Sequence, residues 1–352
     1  MLNFKWTLFF LLVNAFGSEK EAEAITRPLY TGNNPEELGK VDWIRNLDQG
    51  IQQAEKGQKP IFLLFQEVPG CATCRNYGQE VLSHPLIVEA IETLFVPVAI
   101  YNNKQGADAK TLQFFGEPAW NNPVVRIIDN QKKDIVQRIS GNYTKLGVVQ
   151  SMLLALKKEG NAVPTYLELL EQALFAQQQG TETATLGMYC FWTGEKNLGK
   201  LKGVVETQPG FMNGHEVVQV QFDPSVISYT TLVAAAQKSQ CASQVYAANK
   251  EQSALAQKLV GKDNTAPMGK FRLDNEPKYY LSKTLYKYIP MTAIQATKAN
   301  SLIGQQQSPD EVLSPRQLQM LNYIKQNLSK PWKEVIGLDL EQAWALVEKV
   351  KA

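Results

Sequence analysis

Two of the chain's four cysteines are separated by only two residues, in Cys71-Ala-Thr-Cys74. They follow Ile61-Phe-Leu-Leu-Phe65, a continuous apolar run typical of a central strand, and they open a predicted helix. A helix N-terminus favours a thiolate, so we expect Cys71 to attack disulfides and Cys74, one turn on, to resolve the mixed disulfide. An inert structural bridge and half of a zinc site are the alternatives. Zinc needs four ligands and His84, the nearest histidine, stands alone, so no metal is predicted.

A third cysteine lies in an aromatic setting. Cys190 occurs in Gly187-Met-Tyr-Cys-Phe-Trp-Thr-Gly-Glu195, where two glycines allow close approach of the backbone. Phe191 and Trp192 could form an apolar pocket beside the sulfur. The alternative is that this thiol only fills space in a core.

The elements that must position these thiols can be read from the apolar spacing. In the first half the predicted order is helix, strand, helix, strand, helix, two strands, helix. The strands are predicted at 61–65, 95–101, 124–129 and 134–139, and the helices at 42–56, after Cys74, at 108–115 and at 143–158. Pro123 precedes the third strand.

This order, the placement of the Cys-x-x-Cys and Pro123 resemble the thioredoxin superfamily. The resemblance implies an α/β thioredoxin-like domain at 38–160, with Pro123 in the cis conformation beside the dithiol. The usual Trp-Cys-Gly-x-Cys is here Val68-Pro-Gly-Cys-Ala-Thr-Cys74. That stretch resembles a subgroup of secreted thioredoxin-like proteins, some of which carry selenocysteine at the position of Cys71.

The second half alternates again. Strands are predicted near Leu186, at 204–207 and at 216–222, a helix at 228–239, and two further helices from Leu313 to the end. Five motifs follow one another in this half: Tyr189-Cys-Phe-Trp-Thr-Gly194, Leu201-Lys-Gly-Val204, Gly210-Phe-Met-Asn-Gly214, His215-Glu-Val-Val218 and Phe222-Asp-Pro-Ser-Val-Ile-Ser-Tyr229. In this order they resemble the methionine sulfoxide reductase A family.

The resemblance implies a role for each matching residue. Cys190 matches the cysteine that attacks the sulfoxide sulfur, and Phe191 and Trp192 match the pocket for the substrate's methyl group. Glu216 matches the family's acid, which must protonate the sulfoxide oxygen before it can leave. Asp274 and Tyr279 keep the aspartate-to-tyrosine spacing of the family's Asp-x-Gly-Thr-Gln-Tyr and are assigned to substrate binding, although its Gly-Thr-Gln is absent.

The chain also departs from the family. The family's loop between the Gly-Tyr-Thr-Gly-Gly turn and the glutamate strand is missing, together with the tyrosine that it carries. Tyr189 or Tyr280 could replace that tyrosine. A degenerate domain without reductase activity is therefore an alternative.

Cys241 is the remaining cysteine. Attack by Cys190 would leave a sulfenic acid, which must condense with a second thiol before recycling. We therefore expect a Cys190–Cys241 disulfide, against the alternatives of a buried free thiol and a static bridge. Cys71 would then reduce that disulfide, helped by the high effective concentration of a tethered domain.

The domain boundaries follow from these assignments. Residues 1–24 have the layout of a secretory signal peptide, with Lys5 before an apolar run and a small-residue exit. We assign 38–160 to the thioredoxin-like domain, 161–183 to a linker, 184–303 to an α+β methionine sulfoxide reductase A-like domain and 308–352 to a helical C-terminal tail. The location is predicted to be periplasmic or secreted, where cysteine pairs can oxidise.

The composition limits the partners. Lys and Arg number 36 against 34 Asp and Glu, without a basic block, so a nucleic acid partner is not expected. The resemblances imply a thiol-dependent enzyme like a peptide-methionine (S)-S-oxide reductase, acting without a cofactor on oxidised methionine in peptides or proteins. A membrane thiol-disulfide reductase would supply the electrons. The alternatives are a general thiol-disulfide oxidoreductase and a non-enzymatic module that recognises methionine.

Overall fold

The computed structural model describes residues 33–351, and the predicted signal peptide lies outside them. The first half contains these elements: α1 (Leu47–Gly57), β1 (Ile61–Gln66), α2 (Ala72–Glu80), α3 (Pro85–Leu94), β2 (Val96–Tyr101), α4 (Ala107–Phe115), β3 (Val124–Ile128), β4 (Ile139–Ser140) and α5 (Lys145–Lys158). The predicted order of helices and strands in this half is confirmed, except that two helices, α2 and α3, lie between β1 and β2 where one was expected.

The first sheet has the strand order β2-β1-β3-β4. β1 is parallel to β2 and antiparallel to β3, and all six of its residues are buried. Ile61, Leu63 and Phe65 belong to the core under α1 and α4, whereas Phe62 and Leu64 belong to the larger core on the other face. A strand covered on both faces explains the unbroken apolar run before Cys71.

The fourth strand is shorter than expected. Segment 134–139 forms a single bridge, Ile128 to Asp134, before β4 begins at Ile139. Val136 and Ile139 are its buried apolar residues. They are three positions apart, and strand side chains alternate with a period of two, so this segment cannot present both to the core as one regular strand.

Residues 161–183, expected to be a linker, contain a 15-residue helix, α6 (Thr165–Gln179). Pro164 is its N-cap residue and the run of glutamines ends it, but its residues Tyr166, Leu167, Leu169 and Leu170 are buried. They join the larger core of the first half. The segment is therefore a packed structural element between the two sheets.

The second sheet is built from β5 (Glu182–Gly187), β6 (Val204–Met212), β7 (His215–Phe222), β8 (Gln244–Ala247), β9 (Thr265–Pro267) and β10 (Arg272–Leu273), in the order β10-β6-β7-β5-β8-β9. Three helices accompany it: α7 (Phe191–Gly199), α8 (Tyr229–Lys238) and α9 (Lys250–Val260). The predicted strands and the helix at 228–239 are confirmed.

A two-residue turn joins β6 to β7. Asn213 and Gly214 both have positive φ, 51° and 82°, and Met212 pairs with His215 across the turn. Asn-Gly with two left-handed residues is the preferred sequence of this hairpin type. No further residues separate the two strands here, in agreement with the missing loop.

The remaining elements are α10 (Tyr279–Ser282), α11 (Ala293–Gly304), α12 (Pro315–Gln326) and α13 (Leu340–Lys351). The segment expected to be a helical tail is instead packed against the first half: Arg316 donates its main-chain N–H to Glu89 at 2.8 Å and pairs with Glu92, both on α3. α11 packs on both α6 and α7. Buried apolar residues of α11, α12 and α13 belong to the same core as residues of the first half, which the sequence pattern alone did not indicate.

None of the helices within residues 33–351 combines the length and the apolar character needed to cross a bilayer.

Candidate functional site

The Cys71–Cys74 dithiol lies at the start of α2. Cys71 is the N-cap residue and is exposed, whereas Cys74 is buried, and their sulfurs are 3.7 Å apart. The main-chain N–H of Cys74 hydrogen-bonds the Cys71 sulfur and lowers the pKa of that thiol. Burial raises the pKa of Cys74 to about 11. The pair therefore consists of an exposed thiol of lowered pKa and a buried thiol of raised pKa, and their roles as attacking and resolving cysteine stay a prediction.

Two loops surround this dithiol. The Asn122–Pro123 peptide is cis, as predicted, and Asn122 Oδ1 accepts a hydrogen bond from the Cys74 thiol at 2.7 Å. The Val68–Pro69 peptide is also cis, which the sequence analysis did not anticipate. A Cβ on Gly70 would lie 2.7 Å from Cys74 Cβ, so the residue before Cys71 must be small.

Cys190 is the N-cap residue of α7, directly after β5. Glu216, near the start of β7, accepts a hydrogen bond from the main-chain N–H of Phe191 at 2.8 Å. The Glu216 carboxylate therefore binds the main-chain N–H that directly follows Cys190, at the start of α7. Gly194, in the same helix, must be small, since a Cβ there would lie 2.1 Å from the Met188 sulfur.

An aromatic cluster covers this helix start. Phe191 contacts Phe211 at 5.3 Å and Trp192 at 5.7 Å between ring centroids. Tyr279 is stacked on Trp192 at 3.8 Å with an interplanar angle of 13°. One face of the indole is thus occupied by Tyr279, while the buried indole N–H has no hydrogen-bond partner within the described residues. The predicted binding residues Phe191, Trp192 and Tyr279 are brought together.

A buried ion pair that the sequence analysis missed anchors Tyr279. Glu195, on α7, is fully buried and accepts from the Lys278 ammonium at 3.0 Å and from the Lys278 main-chain N–H at 3.1 Å. Thr207 donates its hydroxyl to the same carboxylate at 3.0 Å. Lys278 has a φ of 57° and immediately precedes Tyr279, so the pair fixes the start of α10 against α7.

Tyr189 and Tyr280 were the two candidates to replace the tyrosine that the missing loop carries, and they differ in exposure and in surroundings. Tyr189 is 97% exposed. Burial raises the pKa of Tyr280, whose phenol also has Thr193 as a hydrogen-bond partner and lies close enough to Cys190 to interact electrostatically. Tyr280 is therefore the phenol near the Cys190 thiol.

Asp274 is not brought into this group by any described contact. It follows β10, and its main-chain N–H bonds Pro209 O at 2.9 Å. Its carboxylate accepts from the main-chain N–H of Glu276 at 3.2 Å, which stabilises the turn leading to α10. Its assignment to substrate binding stays a prediction.

Cys241 is buried beside the C-terminal half of α7, with its sulfur 3.5 Å from Asn197 Nδ2. A helix rises about 1.5 Å per residue, so Asn197 lies about 10 Å along the axis from Cys190. Cys190 and Cys241 are both free thiols. A disulfide needs Cα atoms within about 7 Å, and the pairing of Cys190 with Cys241 stays a prediction.

The far end of α7 is fixed by α11. The Lys298 ammonium donates to Gly199 O at 2.8 Å and to Leu201 O at 2.7 Å, and burial lowers the pKa of Lys298 to about 8. Ser301 donates to Lys196 O. The helix that begins at Cys190 is thereby attached to the helical layer that also contacts the thioredoxin-like half.

Comparisons with known proteins agree with parts of this description. A family model described as thioredoxin-like matches residues 42–130. The chain is 39% identical over 70 residues to peptide methionine sulfoxide reductase MsrA of Methanococcus maripaludis (strain C5), covering 15% of this chain and 45% of that protein. It is 35% identical over 82 residues to peptide methionine sulfoxide reductase MsrA 1 of Nostoc sp. (strain PCC 7120), covering 18% and 50%.

The chain therefore spans about half the length of these curated relatives. Among solved structures, one described as DsbH oxidoreductase matches with a TM-score of 0.30 and 16% identity, over 36% of this chain and 92% of that chain. Taken together, residues 42–130 form a thioredoxin-like domain, and the chain also shares short stretches of sequence with methionine sulfoxide reductases.

Proposed function

We propose that this protein reduces methionine sulfoxide to methionine through Cys190 and that its thioredoxin-like domain recycles the oxidised cysteine. The observation that carries the proposal is the hydrogen bond from the main-chain N–H directly after Cys190 to the Glu216 carboxylate at the start of α7. A thiol nucleophile, a carboxyl group and a phenol, Tyr280, are the groups that oxygen transfer from a sulfoxide requires.

In the first step the Cys190 sulfur attacks the sulfoxide sulfur while Glu216, in its protonated form, gives a proton to the oxygen. The oxygen passes to Cys190, which becomes a sulfenic acid, and the substrate leaves as methionine. The cysteine sulfur is oxidised by two electrons and the methionine sulfur is reduced by two. Within residues 33–351 the buried indole N–H of Trp192 has no hydrogen-bond partner, which supports this proposal, since a sulfoxide oxygen is a strong hydrogen-bond acceptor.

In the second step the Cys241 thiol condenses with the sulfenic acid, releasing water and forming the Cys190–Cys241 disulfide. Cys71 then attacks this disulfide and Cys74 resolves the mixed disulfide, which leaves Cys71–Cys74 oxidised and the other pair reduced. A membrane thiol-disulfide reductase would return two electrons to the dithiol, in keeping with a periplasmic or secreted location.

The test is the reduction of each epimer of a methionine sulfoxide peptide by the protein with dithiothreitol. We expect turnover of one epimer, the S form implied by the resemblance, its complete loss in Cys190→Ser and a loss of about 100-fold or more in Glu216→Gln. Glu206→Gln, on the neighbouring strand β6, is the matched control and keeps the rate.

Two other outcomes would support the two alternative functions. Absence of turnover with either epimer, while the dithiol still exchanges disulfides, would indicate a general thiol-disulfide oxidoreductase. Binding of a methionine peptide without turnover, unchanged in Cys190→Ser, would indicate a recognition module. Either result would contradict the proposed reductase.

A further inference from the structure

Three metal-binding atoms converge at the Cys71–Cys74 dithiol. One carboxylate oxygen of Glu67 and the sulfurs of Cys71 and Cys74 all lie within 4.8 Å of one another. The sequence alone indicated only two sulfurs and a remote histidine. His84 is partly buried, loss of solvation lowers its pKa to about 4, and it does not belong to this group.

The distance between the sulfurs matches a tetrahedral metal. Two sulfurs bound to Zn²⁺ at about 2.3 Å with tetrahedral angles are about 3.8 Å apart, and the two thiols here are 3.7 Å apart. A carboxylate oxygen bound at about 2.0 Å would lie about 3.5 Å from each sulfur, and the Glu67 oxygen lies within 4.8 Å of both sulfurs here. We propose that, in the reduced protein, Glu67, Cys71 and Cys74 together bind one divalent cation that prefers sulfur ligands, such as Zn²⁺.

The chain folds so that these ligands face one site. The loop from Glu67 to Gly70 turns back over Cys74: a Cβ on Gly70 would lie 2.4 Å from Glu67 O and 3.2 Å from the Cys74 sulfur. The main chain of Glu67 also hydrogen-bonds that sulfur. Arg75 donates to Gly70 O at 2.7 Å and supplies a positive charge beside a ligand set that carries three negative charges once both thiols ionise.

Binding of the cation releases the thiol protons and transfers no electrons. Among the described residues, no further histidine, cysteine or carboxylate joins these three as a fourth ligand. Water therefore completes the coordination, as in zinc sites with an open position. The oxidised pair, with its sulfurs bonded at about 2.05 Å, cannot chelate the ion. Zinc therefore competes with disulfide exchange at Cys71.

The test is Zn²⁺ binding by the reduced full chain, measured by competition with a chromophoric chelator. We expect one tight equivalent, its loss in Cys71→Ser and in the oxidised protein, and at least tenfold weaker binding in Glu67→Gln. Glu80→Gln, exposed at the end of α2, is the control with unchanged affinity. Co²⁺ should give a thiolate charge-transfer band with tetrahedral ligand-field absorption.

One equivalent of Zn²⁺ should also slow the reaction of Cys71 with a disulfide reagent at least tenfold. Equal Zn²⁺ affinity in the wild type and Glu67→Gln, or an octahedral Co²⁺ spectrum without the charge-transfer band, would overturn the proposal. Both readouts are independent of methionine sulfoxide reduction, so the metal site and the proposed function fail separately.

Discussion

The two nucleophile candidates stand at the same structural position and differ in their neighbours. Cys71 and Cys190 are each the N-cap residue of a helix that follows a strand of its sheet. Cys71 is exposed and has a second thiol 3.7 Å away. Cys190 is half-buried and has the Glu216 carboxylate, two aromatic rings and a phenol around it.

This difference indicates how one local motif can serve two reactions. At Cys71 the main-chain N–H groups of the first helical turn lower the pKa of the thiol. The neighbouring groups then determine the electrophile: a second thiol suits disulfide exchange, whereas an acid and an apolar pocket suit a small sulfoxide. The following predictions test whether the two sites are in fact divided in this way.

The largest effect is expected from Cys71→Ser. This change should abolish recycling by an external protein dithiol while leaving one stoichiometric reduction of methionine sulfoxide per chain, because the sulfoxide is reduced at Cys190 and Cys71 is needed only to reduce the resulting Cys190–Cys241 disulfide. The measurement is methionine formed per chain, with and without the protein reductant. Unaltered recycling would show that the dithiol does not serve the second domain.

Lys278→Met should lower the free energy of unfolding by about 3–5 kcal/mol at the site around Cys190 and leave the Cys71–Cys74 site unaffected. The reason is that Glu195 would be left buried and unpaired. Urea unfolding measures the loss, and disulfide exchange at Cys71 should keep its rate. The control is Lys283→Met, which breaks the exposed pair with Glu276 and should cost less than about 1 kcal/mol. Equal losses in the two variants would contradict a special role for the buried pair.

The ion pair also marks the limit of the sequence analysis. Cys190, Phe191 and Trp192 are consecutive, and Pro123 precedes its strand directly, so local patterns were sufficient to predict their placement. Glu195 and Lys278 are 83 positions apart, and neither residue type is expected inside a core. Only the folded chain brings them together.

The packing of α6 and of the C-terminal helices was missed for a related reason. Pro164 and the glutamine run signal breaks, but a break in pattern does not tell whether the intervening segment is buried. Tyr166 is buried in a core that includes residues from α3 and α12, and those contacts join segments more than 60 residues apart. Apolar spacing within one window cannot reveal such partners.

The reactivity of the two thiols of the first site should differ by at least about 100-fold at pH 7, since a thiol with a pKa near 11 is about 0.01% ionised there and one at or below 9 is about 1% ionised or more. A lowered pKa means that the pH profile of Cys71 alkylation has its midpoint below pH 9, whereas that of Cys74 has its midpoint near pH 11. Peptide mapping after iodoacetamide pulses measures both. Similar pH profiles for the two thiols would contradict the division of roles.

The smallest effect is expected at the phenol. Tyr280→Phe should lower sulfoxide turnover about tenfold, the value of one hydrogen bond of about 1.4 kcal/mol to the substrate oxygen. Tyr189→Phe, at a fully solvated position, should have no effect. The opposite ranking in steady-state rates would assign the missing tyrosine's place to Tyr189.

The most direct measurement of the central claim is a single turnover followed by mass spectrometry. The reduced protein is mixed with one equivalent of methionine sulfoxide peptide, the thiols are trapped at intervals, and the oxidised cysteines are identified. The account predicts one equivalent of methionine, early oxidation of Cys190 and later accumulation of the Cys71–Cys74 disulfide. Formation of that disulfide at the same rate in Cys190→Ser, or no methionine from the wild type, would contradict it.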